Sequence, residues 1–325
     1  MAEINISEEE RKRREQIFRM MVCFDGSEES FRALRYAAGL SHQLNADLVV
    51  LFVRAVYDGA SKDEVYKWAA EESMLDWDLD LAGLKFLRMA RDVLVEMGEL
   101  ADDWRMVTVH TDVDSDVLGD NKIEYINDTQ GREIVMKLKV SDDIARGILD
   151  QYELGPYDLI VLGASELWQE RKRKPFRDPA VAEKVAIHAP CSVLVTRKVI
   201  RTGHGHLLCT DGSDAAMKMI RKEGELAAKA GFPVSVLSVA LDHVEERDAQ
   251  KNIESATAVL KSVGAEIENT YVRTGSPIEE IIDVGKNYSL IAVSASSKTG
   301  LQRFFLGSVS FQVLEQAENS VMLVR

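Results

Sequence analysis

The chain has 325 residues, 46% of them hydrophobic, and a formal net charge of −14. That length suits about two domains and supplies apolar residues for two cores. The acidic surplus excludes nucleic acid and anionic membrane surfaces as principal partners, because both demand a basic face.

Met1 to Gln16 is charged and lacks the apolar stretch of a secretory signal, and no run of about 18 apolar residues occurs anywhere. The expectation is a cytoplasmic protein without a membrane span. Arg19 to Phe24 reads as a first strand, Ser30 to Leu44 as a helix and Asp47 to Val53 as a second strand. A long helical region, Lys62 to Leu100, follows; its amphipathic Trp68–Trp77 stretch reads as core or interdomain packing. Trp104 to Thr111 is assigned as strand three. Lys122–Asn127 and Arg132–Val140 read as a hairpin about Asp128-Thr129-Gln130-Gly131. Asp114, Asp116 and Asp120 lack EF-hand spacing and read as turn residues. Ser141-Asp142-Asp143 caps a helix to Tyr152, Asp158–Leu162 is strand four, and Val181–His188 is a helix. The basic run Arg171–Lys174 reads as a solvated loop. Lys198 to Gly205 reads as a linker, and His204 and His206 as linker histidines, since no third metal ligand stands near them.

The second half repeats this plan more compactly. Met21-Val22-Cys23-Phe24-Asp25-Gly26-Ser27 returns as Leu207-Leu208-Cys209-Thr210-Asp211-Gly212-Ser213, and the closing Ser192–Arg197 returns as Ser320–Arg325. Between them, strands are expected over His206–Thr210, Val234–Ala240, Ala265–Arg273, Ser289–Val293 and Ser320–Val324. Helices are expected over Gly212–Gly231, Arg247–Val263, Pro277–Asn287 and Val309–Gln316. Gly231 suits a C-cap, and Ser276-Pro277 suits a helix start. Strict alternation of apolar strands and helices predicts parallel, doubly wound sheets covered on both faces. The fold class is therefore α/β, with two tandem five-stranded, Rossmann-like domains. The first is enlarged by about 58 inserted residues. The expected domains are 1–198 and 206–325. Cys23 and Cys209 fall inside the two first strands and, with Cys191, read as buried hydrophobes rather than a disulfide framework.

The chemistry is expected where Ser294-Ala295-Ser296-Ser297 leaves an apolar strand and runs through Lys298-Thr299-Gly300-Leu301-Gln302-Arg303 to Leu306-Gly307-Ser308-Val309-Ser310 at the start of a helix. Backbone amides of a small-residue loop at a helix N-terminus form an anion site. There is no nucleophile–base–orienter set, no HExxH and no Gly-x4-Gly-Lys-[ST]. No catalytic residue and no protein metal site are assigned.

These features together resemble a universal stress protein domain, and the chain is similar to a tandem member of that family. The resemblance rests on the two first-strand Asp-Gly-Ser motifs, the Gly275-Ser276-Pro277 turn, the Lys298–Ser310 run and the closing apolar strands. Nucleotide-binding members resemble Gly-x2-Gly-x9-Gly-Ser. Here the spacing is kept, with Ser294 and Ser297 at the first two glycine positions and Gly307-Ser308 retained. The resemblance implies ATP, accompanied by Mg, as ligand of the second domain. Asp211 would accept a hydrogen bond from adenine, and Val239 would meet base or ribose through its backbone. Gly275 would line the adenine pocket. Ser294, Ser297, Gly307 and Ser308 would hold phosphates, with Val309 and Ser310 in the helical turn that follows. In the first domain Gly163 is kept, but Glu166 and Pro179-Ala180 replace the second glycine and the Gly-Ser pair. A carboxylate repels phosphate and proline lacks an amide donor, so no nucleotide is expected there. The implied role is regulatory, with slow ATP hydrolysis at most and a protein partner that the sequence does not name. The resemblance also implies that Ser192–Thr196 and Ser320–Val324 pair in an internal pseudo-dimer, with further homodimerisation open to the chain. A competing reading is a nucleotide-free module that binds a protein or hydrophobic ligand through the enlarged first domain. An ATP-pyrophosphatase-type enzyme is disfavoured by the missing Ser-Gly-Gly-x-Asp-Ser loop.

Overall fold

In a computed structural model of the chain, the residues described are 16–54, 82–113, 116–153, 156–164, 181–197, 204–295 and 308–325. The chain divides into two compact units, 1–163 and 164–325. The Trp68–Trp77 stretch and the Arg171–Lys174 run lie outside the described residues.

The first unit comprises β1 (Arg19–Cys23), α1 (Glu28–Leu44), β2 (Asp47–Arg54), α2 (Ala82–Glu96), β3 (Arg105–Val113), β4 (Asp116–Asn127), β5 (Arg132–Val140), α3 (Ile144–Glu153) and β6 (Leu159–Gly163). Its strands lie in the order β6-β1-β2-β5-β4-β3. The first four are parallel, whereas β4 and β3 are added antiparallel. The 127–132 hairpin forms as read, with Asn127 opposite Arg132. The strand assigned third, 104–111, instead lies at the sheet edge, and Arg132–Val140 takes the parallel place beside β2. The reason is apolar content. β5 buries Ile134, Met136, Leu138 and Val140 against the core, while β3 leaves Met106 and Thr108 exposed. Only β5 can occupy a position covered on both faces.

The acidic run before β4 also differs from expectation. Asp120 is not a turn residue but a buried member of β4. Its Oδ1 accepts from Val140 N at 2.8 Å, and its Oδ2 lies 3.6 Å from both Lys137 Nζ and Lys139 Nζ. Asp116 begins β4, and Asp114 lies outside the described residues. Desolvation pushes the Lys137 ammonium down to about 8, an effect that Asp120 only partly opposes.

The second unit comprises α4 (Val181–His188), β7 (Ser192–Thr196), β8 (His204–Cys209), α5 (Asp214–Ala230), β9 (Val234–Ala240), α6 (Glu246–Ser262), β10 (Ile267–Thr274), α7 (Pro277–Gly285), β11 (Tyr288–Ser294), α8 (Ser308–Gln316) and β12 (Ser320–Val324). The order is β10-β9-β8-β11-β12-β7, with the first five parallel and β7 antiparallel to β12. Val195 opposes Val321 and Val193 opposes Leu323, all fully buried. The two closing strands thus cover each other's otherwise exposed edges. The unit boundary falls before α4 because β7, though part of the first repeat, is bonded to β12.

β8 begins at His204, inside the expected linker, and His206 lies in the strand as the 206–210 reading expected, so neither is a linker histidine. His204 Nδ1 lies 2.6 Å from Glu268 Oε1. The buried His206 sits 3.7 Å from Glu223 Oε2, with its ring 4.0 Å from that of Phe232. The three cysteines form no disulfide; Cys191 and Cys209 are buried as read, Cys23 is only partly so, and burial pushes the Cys209 thiol upward. Among the described residues, no helix is long and apolar enough to cross a membrane.

Candidate functional site

The two Asp-Gly-Ser motifs build the same turn. Asp25 Oδ1 accepts from Ser27 N at 3.0 Å, and Asp211 Oδ1 accepts from Ser213 N at 2.9 Å. Gly26 and Gly212 take positive φ, at 80° and 74°, which a glycine adopts without strain. Ser27 and Ser213 then cap their helices, accepting from Ser30 N and Ala216 N. Each motif therefore ends a strand, reverses the chain and starts a helix within four residues.

In the second unit, β8 and β11 are neighbours although the chain leaves β8 toward β9 and β10. This is the topological switch point, where parallel α/β sheets receive ligands beyond the carboxyl ends of their strands. Seven of the nine expected residues reach that edge. Asp211 follows β8 and is exposed, Val239 is next to last in β9, and Gly275 follows β10. Gly275 N donates to Ala240 O at 2.9 Å, which ties the ends of β9 and β10 together. Ser294 ends β11, and Ser310 Oγ donates to Ser294 O at 2.7 Å, which brings the first turn of α8 to the same place. Val309 lies in that turn. Ser308 begins α8, while Ser297 and Gly307 lie outside the described residues. The Ser310 proton is thus directed to a main-chain carbonyl. Ser276 stands at the N-cap of α7 as expected, but its hydroxyl makes no capping bond.

The sheet registers allow the two repeats to be compared position by position. Cys23 pairs with Leu51 as Cys209 pairs with Leu237. Phe52, Val53 and Arg54 of β2 therefore correspond to Ser238, Val239 and Ala240 of β9. Ser141 N bonds Arg54 O at 3.0 Å as Gly275 N bonds Ala240 O, so Ser141 stands where the second unit has Gly275. By the same comparison Gly163 corresponds to Ser294.

The surroundings of these positions differ. A Cβ on Gly26 would meet the Phe86 ring at 2.1 Å, and Phe86 stacks on Phe52 with centroids 5.7 Å apart. At the matching place of the second unit stands Asn252, whose Nδ2 donates to Ser238 Oγ at 3.4 Å. The nearest atom to a Cβ on Gly275, which has φ 146°, is Glu280 Oε1 at 3.3 Å. The first unit thus fills its switch point with aromatic rings and the buried Arg54. The second presents small and polar groups. Sequence reading alone missed Phe52, Phe86, Ser238 and Asn252. Their signal was available only as register: Phe86 of α2 and Asn252 of α6 hold matching places in the helices that follow β2 and β9, and no sequence motif marks either.

The described residues contain no group of three His, Cys, Asp or Glu able to hold a metal. On the rim, His243 Nδ1 lies 2.6 Å from Glu246 Oε1, and that carboxylate also accepts from Thr274 Oγ1 at 2.8 Å. The carboxylate raises the histidine, while both partners lower Glu246.

Comparison with known proteins agrees with the repeat. A universal stress protein of Methanocaldococcus jannaschii, MJ0531, is 25% identical over 165 residues, covering 44% of this chain and 96% of that protein. The crystal structure of a universal stress protein from Archaeoglobus fulgidus superimposes with a TM-score of 0.55 at 17% identity, covering 94% of this chain and 96% of the other. That of PA1789, a functionally unknown protein of Pseudomonas aeruginosa, gives 0.56 at 14% identity, with 96% and 94% covered. At such identities the structural likenesses speak for the fold. The pattern of the universal stress protein family itself matches residues 17–197 and again 206–325, nearly the whole chain in two repeats, and the chain therefore belongs to the universal stress protein family.

Proposed function

We propose that the second domain, 206–325, binds one adenine nucleotide, ATP, and that the first, 1–198, has given up its own site. The observation that carries this reading is the contrast at the switch point. Phe52, Phe86 and Ser141 stand in the first repeat where Ser238, Asn252 and Gly275 stand in the second. The small and polar set suits a planar base, which packs against backbone and glycine and offers hydrogen bonds at its edge.

In this reading the exposed Asp211 carboxylate accepts from the adenine amino group while its Oδ1 keeps the Ser213 turn. Val239 meets base or ribose through its backbone, and Gly275 lines the pocket. Ser294, Ser297, Gly307 and Ser308 hold the phosphates, with Val309 and Ser310 completing the turn. Anion binding here draws on the amides and dipole of the α8 N-terminus. Mg would arrive with the phosphates rather than on a protein carboxylate cluster. The role is that of a cytoplasmic stress-response regulator. Occupancy biases a surface that a partner protein or a second copy of the chain reads, which requires differential affinity for two states and no chemical step.

The test is calorimetric titration of ATP and GTP into wild type and Asp211→Asn. The amide retains an oxygen for the Ser213 turn but replaces the acceptor offered to adenine by a donor. Wild type is expected to prefer ATP, and the variant to lose about tenfold for ATP alone, the worth of one charge-assisted hydrogen bond. Equal ATP and GTP affinities, unchanged in the variant, would remove Asp211 from the site and adenine from the reading.

A further inference from the structure

Arg197 follows β7 and Arg325 follows β12, at matching points of the two closing strands. The buried Arg197 guanidinium donates to the main-chain carbonyls of Ala317, at 2.6 Å, and Leu314, at the C-terminal end of α8. Arg325 donates to the carbonyls of Ala186 at 2.7 Å and Ile187 at 3.1 Å, at the C-terminal end of α4, and to Cys191 O at 3.3 Å. α8 leads into β12, and α4 leads into β7. Each closing strand thus ends in a cation that holds the helix belonging to the other.

The last carbonyls of a helix lack intrahelical partners and carry its negative pole, so a buried cation there satisfies them directly. α8 has nine residues and is only about 13 Å long. A helix so short is marginal by itself and depends on its ends. Its last turn is held by Arg197, and its first turn is held by Ser310 Oγ on Ser294 O.

We propose that Arg197 is a positioning residue for the nucleotide: held by the closing strand of the first repeat, it acts through α8 to fix the amides of 308–310 that receive phosphate. The inference rests on the nucleotide reading above. It gives the degenerate first repeat a part in the second repeat's site, since the residue that steadies the phosphate end of α8 is carried by β7. Arg325 provides an internal control. It makes the equivalent bonds to α4, which follows Pro179-Ala180 in the repeat that lacks the phosphate residues.

The experiment uses the full chain with Arg197→Met, Arg197→Lys and Arg325→Met. Binding of ATP and of adenosine is measured by calorimetry, and exchange of the amides of 308–311 is followed without ligand. Arg197→Met is expected to weaken ATP about five- to tenfold, the upper range of a partly buried helix-pole charge. It should leave adenosine within about twofold and speed exchange in the first turn of α8. Arg197→Lys, which keeps the cation at the helix end but loses the two-pronged fork, should restore part of the ATP affinity, and it carries the test if the methionine variant fails to fold. Arg325→Met should lower thermal stability while leaving the ATP affinity unchanged.

The inference is overturned if Arg197→Met weakens ATP and adenosine alike, if Arg325→Met matches it, if exchange at 308–311 is unchanged, or if lysine is as poor as methionine. If wild type binds ATP and Arg197→Met binds it equally well, this inference alone fails. If wild type binds neither ligand, the nucleotide reading fails and this one with it.

Discussion

Lys137 offers a sharp test of the energetics of the enlarged first unit. Two ammonium groups, Lys137 and Lys139, share the single carboxylate of Asp120 at 3.6 Å each, while Lys122 pairs with Glu124 at 2.5 Å. Burial outweighs the attraction to Asp120 and moves Lys137 from 10.5 to about 8. That shift corresponds to about 3 kcal/mol of preference for the neutral amine in the folded state. The unfolded chain binds the proton more tightly, so stability rises with pH between about 8 and 10.5 and carries the full cost below 8. Lys137→Met keeps the apolar stem, removes the charge and leaves Asp120 with Lys139 and Val140 N. Because the shift already includes the Asp120 attraction, the gain need not be discounted for it again. The variant should be more stable at pH 7 by about 2–3 kcal/mol, or roughly 5–10 °C in the first unit's transition. Urea unfolding of both proteins at pH 7 and pH 10.5 reads the difference, which should be large at the lower pH and small at the higher. A destabilised variant at pH 7, or a difference that ignores pH, would refute the reasoning. It would mean that the Asp120 cluster is a net stabilising network.

Other perturbations separate structure from site. Arg132, whose Nη1 lies 2.9 Å from the buried Glu99 and whose Nη2 donates to Ser41 Oγ, should cost about 3–5 kcal/mol as Arg132→Met because Glu99 is left uncompensated; the double variant with Glu99→Met should recover much of this in thermal unfolding. Gly212→Ala forces a side chain onto φ 74° and within 2.0 Å of Asn252 Oδ1, and should lose about 1–3 kcal/mol in the same assay. Phe86→Ala removes the ring that stacks on Phe52 and should destabilise the first unit by about 2 kcal/mol. It should leave ATP affinity and stoichiometry untouched, as measured by calorimetry.

The sequence made some of this legible because the signals were local. Asp-Gly-Ser sets its own turn and cap within four residues, and its recurrence before a helical pattern is what made the duplication readable. The second repeat, with little inserted, kept strand–helix alternation so plainly that its order followed. Failures came where tertiary contacts decide. In the first repeat 104–111 and 132–140 both read as strands, and only burial on both faces selects the latter for the parallel sheet. A useful clue was present, since Ser141 opens a helix directly after 132–140 as Gly275-Ser276 does after β10. Asp120 looks like loop acid until β5 sets two lysines beside it. His204 and His206 fall on the expected linker edge, yet the β8 pairing with β11 begins at His204. The aromatic filling of the first switch point needs Phe52 and Phe86 to meet from distant parts of the chain, and no periodicity announces that. Of the candidate site, Asp211, Gly275 and Ser294 were named through the family resemblance, whereas Ser238 and Asn252 became visible only through register.

The most direct measurement of the central claim is the stoichiometry of ATP binding by calorimetry to the intact chain. The account predicts one site per chain with micromolar affinity, protecting the protein against heat. Two sites per chain would contradict the loss assigned to the first repeat. No heat and no thermal shift at millimolar ATP would contradict the nucleotide role itself.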